Sequence, residues 1–157
     1  MFNVLFVCYG NICRSPMAEM IFKDLIYNNS KRYLISCESM ATSMEELGND
    51  IYPKAKKKLL EMGVKVEAHR ARQFKKSDYD KYDFIIVFEE RNRRDLLSII
   101  GEDNKNKIHL LLEYSDKVED IADPWYTDDF DTAYEMINKG CNDLFNYLVE
   151  RGRQDEV

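Results

Sequence analysis

Val4-Leu5-Phe6-Val7-Cys8-Tyr9-Gly10-Asn11-Ile12-Cys13-Arg14-Ser15-Pro16 is the stretch that decides the fold. Asn3 to Val7 is a short apolar run that stops at a glycine-containing loop, the pattern of a strand buried on both faces of a parallel sheet. Ser15 stands where a helix N-cap belongs, and Pro16 takes the first helical position. Ala18, Ile21, Phe22 and Leu25 follow at i, i+3, i+4 and i+7, which predicts a helix with one apolar face.

The same alternation continues outward from this unit. Tyr33 to Cys37 reads as a second strand, and Tyr52 to Met62 as a helix ended by Gly63. Asp83 to Phe88 and Lys107 to Leu112 are two more strand candidates, with a helix over Asn92 to Ile100 between them. Ala133, Tyr134, Ile137, Cys141, Leu144, Phe145 and Leu148 form one apolar stripe on a C-terminal helix. Strands alternating with helices predict an α/β fold, a parallel sheet with helices on both faces. Ligands in such folds bind at the carboxyl ends of strands, so the loop after the first strand is the first candidate site. There is no internal repeat and no Pro/Gly/Ser-rich linker, and 157 residues suit one domain over 1–157.

Bulk properties exclude several function classes. A net charge of −6 argues against nucleic-acid binding, which needs a strong basic face. No stretch approaches the ~20 apolar residues of a membrane span. Met1 to Val7 lacks the basic start of a signal peptide. The expectation is therefore a cytoplasmic protein whose Cys8, Cys13, Cys37 and Cys141 are reduced thiols. No second Cys/His pair has ligand spacing, so no metal and no cofactor are expected.

The chemistry lies in Cys8 to Pro16. Main-chain N–H groups and a helix N-terminus make such a turn an anion site. The Gly-Lys-Ser/Thr ending of an ATP-binding loop is absent. Instead the loop opens with a cysteine and closes with an arginine. A thiol at a helix N-terminus beside a guanidinium is favoured as the thiolate nucleophile. Arg14 presents a planar fork that fits two phosphate oxygens. Cys8 would attack phosphorus in line, forming a thiophosphate intermediate. A leaving phenolate needs a proton, and Asp123 is a candidate donor. Asp123-Pro124 taken alone reads equally as a turn. Glu119 and Asp120, close in sequence, would crowd Asp123 with like charge.

Val4 to Glu19 resembles the N-terminal signature of the low-molecular-weight protein tyrosine phosphatase family nearly throughout. The resemblance continues in Ala68-His69-Arg70-Ala71-Arg72-Gln73, in Asn92-Arg93-Arg94-Asp95-Leu96 and in Asp123-Pro124-Trp125-Tyr126, in family order. It implies a flavodoxin-like, four-stranded parallel sheet flanked by helices. It also implies hydrolysis of phosphotyrosine in proteins, and of small aryl phosphates, through a phosphocysteine intermediate. Cys8 would be nucleophile, Arg14 phosphate clamp, and Asp123 acid and then base. Tyr9, Gly10, Asn11, Ile12, Cys13, Arg14 and Ser15 would cradle the phosphate, and phosphate, vanadate or similar oxyanions would inhibit. The Asn11 amide would bond to Ser39 and His69, and Ser15 would donate to the Cys8 thiolate. Tyr9, Glu45, Trp125 and Tyr126 would wall the pocket. Cys13 would form a reversible disulfide with Cys8 under peroxide.

Three positions depart from the family pattern. Glu45 falls where mammalian relatives carry an aromatic residue, Glu89 replaces the usual aspartate after the third strand, and Trp125 replaces a tyrosine. Three rival readings share the loop. Arsenate reductases need two further cysteines near Tyr82 to Asn92, where this sequence has none. Protein-arginine phosphatases carry threonine where Ile12 stands. A silent phosphate-binding module would be expected to lose the cysteine or the acid, and both are present.

Overall fold

The structure, a computed structural model, describes residues 1–155; the last two residues of the expected domain lie outside them. Four strands form one sheet in the order β2-β1-β3-β4, all parallel. They are β1 (Phe2–Cys8), β2 (Ile35–Ala41), β3 (Phe84–Val87) and β4 (Ile108–Leu110). Because β1 is paired on both sides, Val4 to Val7 are fully buried. Their alternation feeds two cores. Val4 and Phe6 pack with residues of α1 (Arg14–Asn28) and α5 (Phe130–Asp155). Leu5 and Val7 pack on the other face with Leu96 and Ile100 of α3 (Glu90–Ile100). Edge-to-face contacts of Phe22 with Phe6 at 5.4 Å and with Phe145 at 6.1 Å carry the first core through α1 to α5. Each such side chain contributes at most roughly 1.5–3 kcal/mol. Two short helices complete the chain's upper rim, α2 (Pro53–Glu61) and α4 (Pro124–Thr127).

Several boundaries differ from the sequence reading. β2 begins at Ile35 and runs on to Ala41, past the polar pair Glu38 and Ser39. Ala41 is bonded on its far side by Arg72 O and Phe74 N–H, at 2.7 and 2.8 Å, which prolongs the ladder. The last strand ends at Leu110, where the chain tightens into a 3₁₀ turn over Leu111–Tyr114. α1 starts at Arg14 with Cys13 as its N-cap, so Ser15 is not the cap and Pro16 is the third helical residue. Proline is still accommodated, because the first four helical N–H groups have no partner in the helix. Ala18, Ile21 and Phe22 are buried as expected, while Leu25 is half-buried. All seven stripe residues of α5 are buried. Among the described residues, no helix is long and apolar enough to cross a membrane.

α5 can lie against the 3₁₀ turn because Gly140 has no side chain. A Cβ there would sit 2.5 Å from Leu111 Cγ and 3.1 Å from Leu112 Cδ2. Leu111 is fully buried and has no room to yield. In an open helix Gly→Ala would stabilise by up to ~1 kcal/mol. Gly140→Ala is instead expected to destabilise by about 1–3 kcal/mol through overpacking. Chemical denaturation of the variant checks the sign, and a rise in midpoint would contradict the contact.

Candidate active site

The loop between β1 and α1 is held in shape from behind. Asn11 adopts a left-handed conformation, φ 58°, which costs a non-glycine residue roughly 1–2 kcal/mol. Four hydrogen bonds offset that cost. Asn11 Nδ2 donates to Ser15 Oγ at 2.8 Å and to Ser39 Oγ at 2.9 Å. Its Oδ1 accepts the Arg72 N–H at 3.3 Å, and its main-chain carbonyl lies 2.7 Å from His69 Nε2. His69 therefore meets the backbone of Asn11 instead of the side-chain amide expected from the resemblance. Ser39 in turn donates to Glu19 at 2.5 Å, and Glu19 pairs with Lys23 at 2.6 Å.

Cys8 ends β1 at the floor of the site. Its Sγ accepts the Asn11 N–H at 3.3 Å and lies 3.0 Å from Ser15 Oγ. Because Asn11 already donates to Ser15 Oγ, the hydroxyl proton is left to point at sulfur. This is why Ser15 does not cap α1.

Arg14 is 2% exposed. Its Nη1 donates to Glu89 Oε2 at 2.8 Å and to the Ile121 carbonyl at 2.9 Å. Its Nη2 lies 3.3 Å from Asp123 Oδ2. Its Nε is buried and has no protein partner. Burial disfavours the charged guanidinium, but Cys8, Asp123 and Glu89 outweigh it, so the Arg14 pKa is raised. Glu89 is fixed by Asn92, whose Oδ1 accepts the Phe88 and Glu89 N–H groups at 3.1 and 3.2 Å. Asp123 accepts the Trp125 N–H at 3.0 Å as N-cap of α4. The like-charge crowding expected from Glu119 and Asp120 is not what Asp123 bonds to. Asp120 accepts the Glu90 N–H at 3.2 Å, Glu119 pairs with Lys117 at 2.9 Å, and Asp123 faces the Arg14 cation.

These groups enclose a small pocket of about 90 Å³. Cys8, Gly10, Ile12, Cys13 and Arg14 line its depth, and Tyr9, Glu45, Glu46, Trp125 and Tyr126 its mouth, with Asp123 to one side. Asn11, Ser15, Ser39 and His69 lie behind the loop and do not line it. The Tyr9 hydroxyl donates to Glu45 at 2.6 Å, a bond that raises the Tyr9 pKa, and Arg91 covers the Tyr9 ring at 4.7 Å. The loop bearing Glu45 is tied down at both ends. Ser43 N–H donates to Tyr9 O and Gly48 N–H to Ala71 O, while Met44, Glu45 and Leu47 between them are exposed.

Glu46, Glu19 and Asn92 were not singled out as site residues, and Glu89 was noted only as a departure. The signal for Glu89 and Asn92 was their position at the end of β3, opposite Arg14's loop. Glu19 had none beyond its place in the signature. Cys37 and Cys141 bond the carbonyls of Glu19 and Ala18 on α1 and do not line the pocket. Among the described residues, no group of three or more His, Cys, Asp or Glu side chains is arranged to hold a metal ion.

The sequence model of the family described as low molecular weight phosphotyrosine protein phosphatase matches residues 3–154. The low molecular weight protein-tyrosine-phosphatase YfkJ of Bacillus subtilis is 36% identical over 146 residues, covering 92% of this chain and 94% of the relative. Its crystal structure matches with a TM-score of 0.92 at 35% identity, covering 96% of each chain. The low molecular weight phosphotyrosine protein phosphatase of Gallus gallus is 38% identical over 144 residues, covering 88% of this chain and 90% of the relative. The crystal structure of DARP, a drosophila arginine phosphatase, matches with a TM-score of 0.83 at 28% identity, covering 92% of this chain and 96% of that one.

The four thiols have unequal surroundings. Burial first, then the neighbouring Cys8 charge, pushes the Cys13 thiol well above its ordinary range. Burial does the same to Cys37 and Cys141. Iodoacetate at neutral pH is therefore expected to label Cys8 alone in the folded protein, with phosphate slowing the reaction. Mass spectrometry of the digested protein reads the site, and labelling of Cys13 ahead of Cys8 would contradict this ordering.

Proposed function

Since the chain belongs to the low molecular weight phosphotyrosine protein phosphatase family, we propose that it hydrolyses phosphotyrosine in proteins through a phosphocysteine formed on Cys8. One observation carries the assignment of roles: Cys8, Arg14 and Asp123 line the same small pocket, and Arg14 Nε has no protein partner. Cys8 attacks phosphorus and Asp123 gives its proton to the departing phenolate oxygen. Asp123 then takes a proton from the water that attacks the phosphocysteine. The Ser15 hydroxyl, 3.0 Å from sulfur, stabilises the thiolate as it leaves.

Phosphate arrival changes what Asp123 meets. Arg14 Nη2 is paired with Asp123. A phosphate dianion takes Nη2 and Nε together, the bidentate geometry that guanidinium favours. Asp123 is then released from the guanidinium and is free to turn to the leaving oxygen. Glu89 and the Ile121 carbonyl keep Nη1, so the fork stays aimed while its other edge changes partner.

Phosphoprotein substrates follow from this reading, in one catalytic unit, with phosphate and vanadate as competing oxyanions. A cytoplasmic location is in keeping with four free cysteines. The likeness to a drosophila arginine phosphatase brings a second substrate, phosphoarginine, into view. Ile12 weighs against it, placing an apolar side chain on the pocket wall where an aromatic ring packs better than a guanidinium.

Peptides carrying phosphotyrosine, phosphoserine or phosphoarginine, assayed with the parent and two variants, test the reading. The parent is expected to cleave phosphotyrosine in clear preference. Cys8→Ser is expected to lose turnover while still binding vanadate. In the burst that isolates phosphorylation of Cys8, Asp123→Asn is expected to slow phosphotyrosine cleavage by about 10²–10⁴-fold, and to slow a nitrophenyl phosphate less, since its leaving group needs no proton. Preference for phosphoarginine would replace the substrate, and equal losses on both aryl esters would remove Asp123 as acid.

Cys13 protects Cys8 in this reading. Peroxide converts the Cys8 thiolate to a sulfenic acid, which condenses with the Cys13 thiol, releasing water and forming a disulfide. Peroxide-treated parent is expected to recover fully with dithiothreitol, and Cys13→Ala to lose activity irreversibly. Equal recovery would remove the protective role.

A further inference from the structure

Beside the catalytic pocket the surface opens into a wider groove of about 920 Å³. Ile12, Glu46 and Trp125 line both, so the groove is a continuation of the pocket mouth. Its far side is formed by Tyr52, Pro53 and Leu60. The Trp125 ring meets Tyr52 edge-on at 4.9 Å, which fixes the apolar wall nearest the pocket. α2 buries Ala55 and Leu59, whereas Leu60 is 58% exposed and Trp125 50%. Neither side chain is needed to fill the core, yet both face the groove.

The lysines around it are paired. α2 carries Lys54, Lys56, Lys57 and Lys58, and each has a carboxylate partner. The pairs are with Asp128 at 2.6 Å, Asp50 at 3.4 Å, Glu61 at 4.0 Å and Asp131 at 2.7 Å. Exposed pairs of this kind add little stability. Their effect here is to leave no basic strip for an acidic peptide, so apolar surface is what the groove offers.

We propose that this groove holds the polypeptide that carries the phosphotyrosine, and selects substrates with a large apolar side chain a few residues to one side of it. The proposal rests on the tyrosine phosphatase reading of the pocket. With the phosphotyrosine ring inserted, its own main chain lies at the rim, and an extended chain advances ~3.3 Å per residue. A chain leaving on the Trp125 side runs over the groove and sets an apolar side chain against Leu60. The groove joins the mouth through Ile12, Glu46 and Trp125, so the selection it exerts is one-sided.

Steady-state kinetics on phosphotyrosine peptides, with leucine or serine placed in turn at each flanking position, test this. The parent is expected to prefer leucine on one side only. Leu60→Ala is expected to remove that preference, lowering kcat/KM for the preferred peptide about 5-fold through KM, and Leu60→Met to restore it. Activity on nitrophenyl phosphate and the thermal midpoint should not change, since Leu60 is outside the core. A parent that cleaves nitrophenyl phosphate but treats all peptides alike would overturn the groove and leave the catalytic reading standing. Failure on every phosphotyrosine substrate would overturn both. A dimer in sedimentation that dissolves in Leu60→Ala would assign the surface to a second copy and overturn the proposal.

Discussion

The buried guanidinium of Arg14 is the constraint on which the site depends. Three chain segments that follow β1, β3 and β4 meet on it. It comes from the first, Glu89 from the second, and the Ile121 carbonyl and Asp123 from the third. Removing a cation from water costs several kcal/mol unless partners replace the lost hydration. Here Nη1 has two close acceptors and Nη2 one carboxylate, while Nε has none. The guanidinium is thus satisfied at Nη1 and Nη2 and unsatisfied at Nε. Truncating Glu89 would remove one of the two carboxylates that face the buried guanidinium, so the contact also helps to keep the three segments together.

The left-handed Asn11 is the second constraint. Its conformation turns the loop so that its N–H points at Cys8 sulfur, and its side chain spends every polar atom holding that turn. The line from Asn11 through Ser39 and Glu19 to Lys23 anchors the loop to β2 and α1. Nucleophile and clamp are therefore set by two separate networks, one on each side of the β1 end.

Much of this was legible in the residues. β1 announced itself because it is central and apolar on both faces, and α5 because its seven stripe positions repeat at helical spacing. Cys8, Arg14 and Asp123 were picked out by type and position, and they line one pocket. The boundaries were less legible where tertiary contacts override composition. The second strand was read as ending at Cys37, yet Ser39 is paired in the sheet, its hydroxyl taken up by Asn11 and Glu19. Ser15 looked like a helix cap because Ser-Pro usually is one, but the Cys8 sulfur and Asn11 amide claim its hydroxyl first. Glu89 meets Arg14 across 75 residues of sequence, and Glu19 meets Ser39 across 20. No local pattern reports a contact of that kind.

The tethering of the loop that carries Glu45 divides the pocket into a part that tolerates change and a part that does not. Its ends are stitched to Tyr9 and Ala71 by main-chain bonds, with Gly48 supplying the positive φ at the second. Its tip bonds neither Arg14 nor the network behind Asn11, and reaches the loop only through the Glu45–Tyr9 bond at the mouth. Residues at the tip are therefore less constrained than those behind the loop. Substrate range and chemical competence are therefore separable properties of this chain, and the first can drift across generations while the second stays fixed.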